Sequence, residues 1–167
     1  MAVVGPELLA RLLDEHGSAL VLYARSWCDT PEDAVQDALL QLVRQPDVPE
    51  KLAPWLYRVV RNAAISQSRS ARRRRRHETA AAGQAAEWFV PRAADRIDAR
   101  EAARALESLT SEQREIIVAR LWGGLSFQEI AEVMGTSSSS AHRRYEAALA
   151  ALRERLGSRC QTNDLKE

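Results

Sequence analysis

A run of arginines near the middle of the chain is the part of the sequence best suited to bind a polyanion. Residues 55–76 carry eight arginines and no acidic residue, although the formal net charge of the whole chain is only +1. The five consecutive arginines at 72–76 repel one another unless phosphates or counterions neutralise them. Apolar residues recur at helical spacing in the first part of this stretch, which a disordered basic tail would lack. We therefore predict a docked helix that continues as a basic arm for nucleic acid; a basic face without a partner is the alternative.

Two side chains on this basic helix could contact bases directly. Asn62 carries an amide that can hydrogen-bond a base edge, although an exposed asparagine with no such role would look the same in the sequence. Trp55 could stack on an unpaired base, but a tryptophan at the start of a helix more often belongs to the core. We therefore predict Asn62 as a base-contacting residue and leave both roles of Trp55 open.

A second group of residues has the spacing of a helix-turn-helix. Ala131 is small enough for two helices to cross, Gly135 suits the tight turn, and Ala141 can anchor the second helix. Arginine can bridge the O6 and N7 acceptors of guanine, and serine can bond to several bases or to phosphates. The candidate contacts at the exposed start of the second helix are Ser138, Ser139, His142, Arg143 and Arg144. A plain helical hairpin is the alternative; His142 has no ligand partner three or four residues away, so a metal site is not expected.

The elements that position these residues are predicted to be helices. Apolar spacing from Pro6 predicts a first helix, which could break at Gly17, and a second helix begins where Thr30 can cap it and Pro31 occupies its first turn. The predicted buried positions of the second helix are Val35, Ala38, Leu39, Leu42 and Val43. Its opposite face could be a docking surface or an ordinary solvated face. The polar residues on that face are Asp33, Gln36, Asp37 and Gln41.

The second half of the chain carries clearer helix boundaries. Thr110 with Gln113, and Ser126 with Glu129, match capping boxes and predict two helix starts. The glycines at 123–124 suit the end of the helix between them. A long final helix follows the turn, and no segment has the pattern of a strand. The fold class is therefore all-α, with two small helical domains joined by a linker, the C-terminal one a helix-turn-helix.

Length and charge distribution support this division. A chain of 167 residues can bury one ordinary core or two small ones, and the two strongly periodic halves favour two. Residues 1–54 hold four basic and nine acidic side chains, whereas residues 142–159 hold five basic and two acidic. The near-zero total charge therefore hides basic elements that are separated from an acidic one.

Cysteine content and hydropathy exclude several classes of protein. The two cysteines, Cys28 and Cys160, lie one in each half without the spacing of a zinc site or a disulfide framework, so a reducing compartment is expected. Charged residues interrupt the first apolar stretch, which is too short for a signal peptide or a membrane span. We therefore predict a cytoplasmic protein with no membrane span and no metal site; no cofactor and no catalytic residue are assigned.

Two blocks of the sequence resemble conserved regions of bacterial sigma factors. Region two is matched by DTPEDAVQDALLQLVR together with PWLYRVVRNAAISQSRSARRRRR, and region four by LESLTSEQREIIVARLWGGLSFQEIAEVMGTSSSSAHRRYEAALAALRERL. The order of the blocks and the linker are similar to the extracytoplasmic-function group, the smallest sigma factors. The resemblance implies a region-2-like domain at 1–77, a linker at 78–97 and a region-4-like helix-turn-helix domain at 98–160.

The resemblance also implies partners and residue roles. A sigma factor binds core RNA polymerase and directs promoter recognition and melting, while the polymerase supplies catalysis; an anti-sigma factor is a further candidate partner. The helix from Ser137 would read the minus-thirty-five element of promoter DNA, and Asn62 with the residues after it would engage the melted minus-ten element. The region-two candidates for DNA are Asn62, Ser66, Arg69, Arg72 and Arg73. The candidates for core polymerase are Asp33, Gln36, Asp37, Leu40, Gln41 and Trp55.

Three other functions fit parts of the sequence. A stand-alone helix-turn-helix regulator would usually dimerise, but no spare apolar face for a dimer is evident. A sigma-like decoy that binds an anti-sigma factor could lose its basic elements, whereas this chain keeps both. A metal-dependent nuclease would need converging carboxylates, whereas Glu32, Asp33 and Asp37 share one helix. The residues SSSSAHRR depart from the family pattern, which leaves the base preference open.

Overall fold

Every regular element of the described structure is a helix, as predicted. The computed structural model describes residues 4–77 and 103–163, and no strand occurs within them. The helices with described bounds are α1 (Pro6–Ala24), α2 (Pro31–Val43), α3 (Leu52–His77), α4 (Ser111–Leu121), α5 (Phe127–Met134) and α6 (Ser138–Asn163). Residues 103–107 are also helical, and the predicted linker at 78–97 lies outside the described residues. Within the described ranges, no helix combines the length and the hydropathy that crossing a bilayer requires.

Helices α1, α2 and α3 form a three-helix unit in the first half of the chain. Ala34 and Ala38 of α2 and Ala64 of α3 are fully buried. Such small side chains allow the helix axes to approach closely. The rings of Tyr23 and Tyr57 meet edge to face, with their centroids 4.9 Å apart. These contacts fix α3 along α1 and α2 and leave its other face exposed.

Three details of the first half differ from the sequence predictions. Thr30 occupies the N-cap position of α2 but makes no capping bond. Its hydroxyl donates instead to Gln67 Oε1 at 3.0 Å, which ties the loop before α2 to α3. Gly17 does not interrupt α1, which is continuous through it. Val43, the last residue of α2, is 48% exposed, because the buried face of that helix ends one residue earlier at Leu42.

Both capping boxes predicted for the second half are present. The Thr110 hydroxyl accepts from the Gln113 backbone N–H at 3.2 Å, and Gln113 Oε1 accepts from the Thr110 N–H at 3.0 Å. Ser126 and Glu129 form the same reciprocal pair at the start of α5. The hydrogen bond from the Ser126 backbone N–H lowers the pKa of Glu129. The starts of α4 and α5 are therefore set by local sequence.

The turn between α5 and α6 has the predicted helix-turn-helix geometry. Gly135 ends α5 with φ +66°, in the left-handed region. Ala131 and Ala141 are buried where the two helices cross, and Ile130 is buried beside them. The short α5 and the long α6 are therefore held at a fixed angle, with the start of α6 exposed.

We expect Gly135→Ala to lower the free energy of unfolding by about 1–2 kcal/mol, because an L-residue is strained in the left-handed region. A Cβ at Gly135 would meet no atom within 4 Å, so strain alone would carry the effect. Gly157 lies inside α6 with equally open space around it. Gly157→Ala should therefore raise the free energy of unfolding by roughly 0.5–1 kcal/mol. Urea unfolding followed by circular dichroism measures the free energy of unfolding of both variants. A change of the same size and direction in Gly135→Ala and Gly157→Ala would contradict the turn geometry.

The two halves of the chain pack against each other. Helix α4 contacts α1, and α5 contacts α3. Buried side chains of both halves belong to one continuous cluster, which includes Tyr23 and Leu56 from the first half and Ile116 and Val118 from the second. The described residues thus form one packed body, with an interface between the two predicted domains.

Candidate nucleic-acid interface

One face of α3 carries four of the five predicted region-two DNA contacts. Their spacings of four, three and four residues place them on a single side of the helix. They are Asn62, Ser66, Arg69 and Arg73. All four are exposed, and they line a surface hollow of about 460 Å³ together with Arg61 and Ile65. The apolar first half of α3 anchors this face by burying Leu56 and Val60.

A larger groove of about 1080 Å³ runs between α2 and α3. Its polar lining includes Asp33, Asp37 and Gln41 of α2 and Asn62, Ser66 and Arg72 of α3. The structure thus brings three predicted polymerase-binding residues and three predicted DNA-binding residues to the two walls of one groove. Asn62 and Ser66 border both this groove and the hollow on α3.

The two walls of the groove differ in charge. The carboxylates of Asp33 and Asp37 on the α2 wall repel phosphate, so a nucleic-acid strand is expected along the α3 wall and its arginine-rich end. At that end Arg75 pairs with Asp29 at 3.0 Å, and the two side chains are 71% and 76% exposed. An ion pair so open to water contributes little to stability. A phosphate could therefore displace Asp29 from Arg75 at small cost.

The predicted polymerase-binding residues on α2 are all exposed. These are Asp33, Gln36, Asp37, Leu40 and Gln41. Leu40 is 47% exposed, an apolar side chain among polar ones, which is the usual pattern at the centre of a protein interface. The structure places Trp55 apart from this face. Trp55 is half-buried at the start of α3, packs on the core and lines a crevice with Glu132 and Val133 of α5.

The first turns of α6 present the second set of predicted DNA contacts. Ser137 caps the helix by accepting the Ser140 backbone N–H at 3.2 Å, and Ala141 is fully buried as its anchor. The His142 ring meets Phe127 edge to face, with centroids 4.8 Å apart. The exposed side chains of these turns include Ser138, Ser139, His142, Arg143 and Arg144. The positive end of the helix dipole and two arginines suit a phosphate or a guanine edge.

A buried carboxylate beside the α3 face was missed by the sequence reasoning. Glu115 of α4 has no exposed surface. Arg61 donates to it twice, from Nε to Oε2 at 2.9 Å and from Nη2 to Oε1 at 3.2 Å. The indole N–H of Trp27 also donates to Oε2, and the Tyr23 hydroxyl lies 3.5 Å from the same oxygen. Because Arg61 directly precedes Asn62, this buried contact adjoins the candidate DNA surface.

Burial and pairing act in opposite directions on these two charges. Burial raises the pKa of Glu115, and the hydrogen bonds and charge of Arg61 oppose that rise without cancelling it. Burial lowers the pKa of Arg61, but the hydrogen bond and charge of Glu115 outweigh burial and leave that pKa raised. The two-point contact is the geometry of an ionised arginine–carboxylate pair. The available signal in the sequence was an acid directly before the apolar run IIVA of α4.

No metal centre is formed within the described residues, which contain no cluster of three histidine, cysteine or carboxylate side chains able to hold an ion. Cys28 is half-buried, and burial raises its pKa to about 11. It is therefore a protonated thiol at neutral pH, without the reactivity of a thiolate. The side chain of Cys160 lies outside the described residues.

Comparison with protein families finds two matches in this chain. Residues 12–74 match the family model for sigma-70 region 2, and residues 99–152 match the model for sigma-70 region 4. The chain is also similar to the ECF RNA polymerase sigma factor SigL of Mycobacterium tuberculosis (strain ATCC 25618 / H37Rv). The two are 33% identical over an alignment of 157 positions, which covers 87% of this chain and 87% of the relative.

Two solved structures share the fold over most of its length. The sigma factor RpoE in complex with the anti-sigma factor NepR from Bartonella quintana superposes with a TM-score of 0.71 at 25% identity, covering 92% of this chain and 98% of that one. CnrH in complex with the cytosolic domain of CnrY superposes with a TM-score of 0.61 at 26% identity, covering 93% of this chain and 91% of that one. The arrangement of helices described above is therefore shared with both.

Proposed function

The chain belongs to the extracytoplasmic-function group of RNA polymerase sigma factors, and from this premise we propose that it binds core RNA polymerase and directs promoter recognition and melting. The observation that carries this function is the occurrence of both sigma-70 regions, in order, at residues 12–74 and 99–152. A stand-alone helix-turn-helix regulator would need only the second region. The first region adds the exposed α2 face and the basic α3, which such a regulator would not use.

The two halves take different tasks in this proposal. Residues 1–77 bind the core polymerase and engage the minus-ten element, and residues 98–160 read the minus-thirty-five element. Support for the first task comes from the exposed α2 face around Leu40, which adjoins the groove bordered by Asn62. Support for the second comes from the exposed first turns of α6, which the buried Ala141 anchors.

The chemistry of α3 suits the capture of a melted strand. Melting requires a site that receives unstacked bases and a surface that holds the separated strands. The Asn62 amide can donate to and accept from a base edge, while Arg69 and Arg73 on the same face can bind phosphates. The chain supplies specificity and the polymerase supplies catalysis, so no residue here is assigned a catalytic role. Action with the polymerase places the protein in the cytoplasm.

A partner of the anti-sigma class is proposed as its regulator. The similar RpoE structure is a complex with the anti-sigma factor NepR. In this chain an apolar groove of about 560 Å³ lies between α1, α2 and the end of α4, and its lining includes Leu13, Val35 and Trp122. Leu13 is 47% exposed and Trp122 is 50% exposed. An exposed apolar groove of this kind is suited to receive part of another protein.

The test is to mix the purified chain with sigma-free bacterial core RNA polymerase, resolve the mixture by gel filtration and transcribe a promoter library. Co-elution and initiation from promoters that share a two-part motif are the expected results. Duplex binding without co-elution would favour the stand-alone regulator instead. Binding to an anti-sigma factor without transcription would favour the decoy.

A further inference from the structure

The two halves of the chain are joined by a buried ion pair whose partners come from opposite sides of the interface. Glu115 belongs to α4 in the second half, whereas its partners belong to the first half: Arg61 to α3, Tyr23 to α1 and Trp27 to the loop after α1. Every side-chain hydrogen bond described for this carboxylate crosses the interface. Separation of the halves would break all of them at once.

Two further contacts lie along the same interface. The Gly123 backbone after α4 lies so close to Tyr57 of α3 that a Cβ there would be 2.6 Å from the Tyr57 hydroxyl oxygen. Lys51, in the segment before α3, pairs with Glu132 of α5 at 2.9 Å. The closed arrangement is therefore a specific fit between the halves at three separate points.

This closed arrangement cannot serve both promoter elements at once. The minus-ten and minus-thirty-five elements are roughly 25 base pairs apart by name, which is about 85 Å of duplex at about 3.4 Å per base pair. A compact chain of this length has a radius of gyration of about 15 Å and spans far less than that distance. The halves must therefore separate before each can occupy its own element.

The ion pair also holds the Arg61 guanidinium, a cation that lies beside the candidate DNA surface. Arg61 lines the same hollow on α3 as Asn62, Ser66 and Arg69. In the closed state its guanidinium is turned to Glu115 by two hydrogen bonds. When α4 moves away, the guanidinium loses its carboxylate partner next to Asn62, where a phosphate can replace it.

We propose that Glu115 is the latch of a closed state of the free sigma factor, and that separation of the halves transfers Arg61 from Glu115 to promoter DNA. This inference rests on the proposed function for its DNA half; the closed state itself does not depend on it.

An ion pair has the properties that a reversible latch needs. Burying two charges is costly, and their attraction recovers most of that cost only in the paired geometry. When the halves separate, both charges regain water, whereas apolar side chains of the shared cluster such as Leu56 and Ile116 become exposed, a cost that the contacts of a partner must offset. Glu115 thus favours one specific closed geometry.

The first experiment is small-angle X-ray scattering on the free chain. Glu115→Gln and Arg61→Gln should both enlarge the radius of gyration at unchanged helical circular dichroism, because each removes one charge of the buried pair. Glu146→Gln is the control, since Glu146 is an exposed acid in the same half of the chain, whereas the charge of Glu112 on α4 raises the pKa of both Glu115 and Arg61. Glu115→Gln and Arg61→Gln variants as compact as the wild type would overturn the latch.

Arg61→Gln separates the two parts of the proposal. It should open the free chain as Glu115→Gln does, yet lower the affinity of the polymerase holoenzyme for promoter DNA by about tenfold, a loss of one charge-assisted contact. Glu115→Gln should leave that affinity equal or higher. If Arg61→Gln and Glu115→Gln change promoter affinity in the same direction, Arg61 makes no DNA contact and that part of the proposal is wrong.

A cross-linked chain gives an answer that does not depend on how well these variants fold. Lys51→Cys with Glu132→Cys, in a chain with Cys28→Ser and Cys160→Ser, can be joined by a cleavable bis-maleimide. The linked chain should lose promoter opening by about tenfold or more and regain it after reductive cleavage. Full activity of the linked chain would overturn the proposal. Failure of the unlinked chain to transcribe would instead refute the proposed function, and scattering would still test the latch.

Discussion

Leu40→Asp is expected to weaken binding to core RNA polymerase by about 30-fold or more, which is roughly 2 kcal/mol. Leu40 is 47% exposed in the middle of the α2 face, so nearly half of this apolar side chain stays in contact with water in the free chain. Burial in a polymerase interface would remove the exposed surface of Leu40 from water, which favours binding. An aspartate at the same position would instead have to lose its hydration. Gel filtration and a fluorescence anisotropy titration of labelled chain with core polymerase measure the effect.

The matched control is Leu13→Asp. Leu13 is also 47% exposed and also lies on a helix of the first half, but on α1, in the apolar groove near Trp122. Both substitutions place the same charge at equal exposure and carry the same small loss of helix propensity. Leu13→Asp should leave polymerase binding within about twofold. Equal losses in both variants would show a general effect on folding, and no loss in Leu40→Asp would remove α2 from the polymerase interface.

Local sequence determined the parts of the fold that depend on neighbouring residues. Both capping boxes and the glycine at position 135 were predictable, because the partners lie within three residues or the backbone angle itself demands glycine. At Thr30, prediction from neighbouring residues was wrong. A threonine before Pro31 has the signature of a cap, but a side chain from α3, Gln67, competes for its hydroxyl. Tertiary contacts of this kind are not encoded in a local window.

The interface between the halves was not predictable for the same reason. Glu115 stands before two isoleucines, and helical periodicity alone cannot tell a buried acid from an exposed one at the edge of an apolar face. Its partner Arg61 lies 54 residues earlier, inside a stretch of eight arginines whose spacing does not distinguish Arg61 from the others. Charge counting assigns Arg61 to the basic surface. The structure shows it shared between that surface and the core.

The candidate DNA face was easier to anticipate than its surroundings. Asn62, Ser66, Arg69 and Arg73 share a helix face by spacing alone, so their grouping needed no tertiary information. The acidic wall that Asp33 and Asp37 place opposite them depends on how α2 packs against α3. Because that wall repels phosphate, we expect a bound strand to lie along α3, where substitutions on this face should weaken its binding.

Asn62→Ala should reduce promoter melting by about tenfold to a hundredfold, the range for losing a two-point contact to a base. Binding to core polymerase should change little, because Asn62 is exposed on α3 and outside the α2 face. Alanine also favours a helix more than asparagine does, so lost folding cannot explain the defect. Permanganate reactivity of unpaired thymines in the promoter measures melting, and co-elution with core polymerase measures binding.

Gln45→Ala is the matched control for Asn62→Ala, since it removes an exposed amide from the first half away from the α3 face. It should melt the promoter as the wild type does. A promoter with a built-in mismatched bubble then distinguishes two roles of Asn62. If the amide holds a base edge, Asn62→Ala remains weak on the bubble, because the captured base has still lost its partner. If the bubble restores full activity, Asn62 assists strand separation without reading the base, and an Asn62→Ala chain that melts duplex promoters normally would remove it from the site.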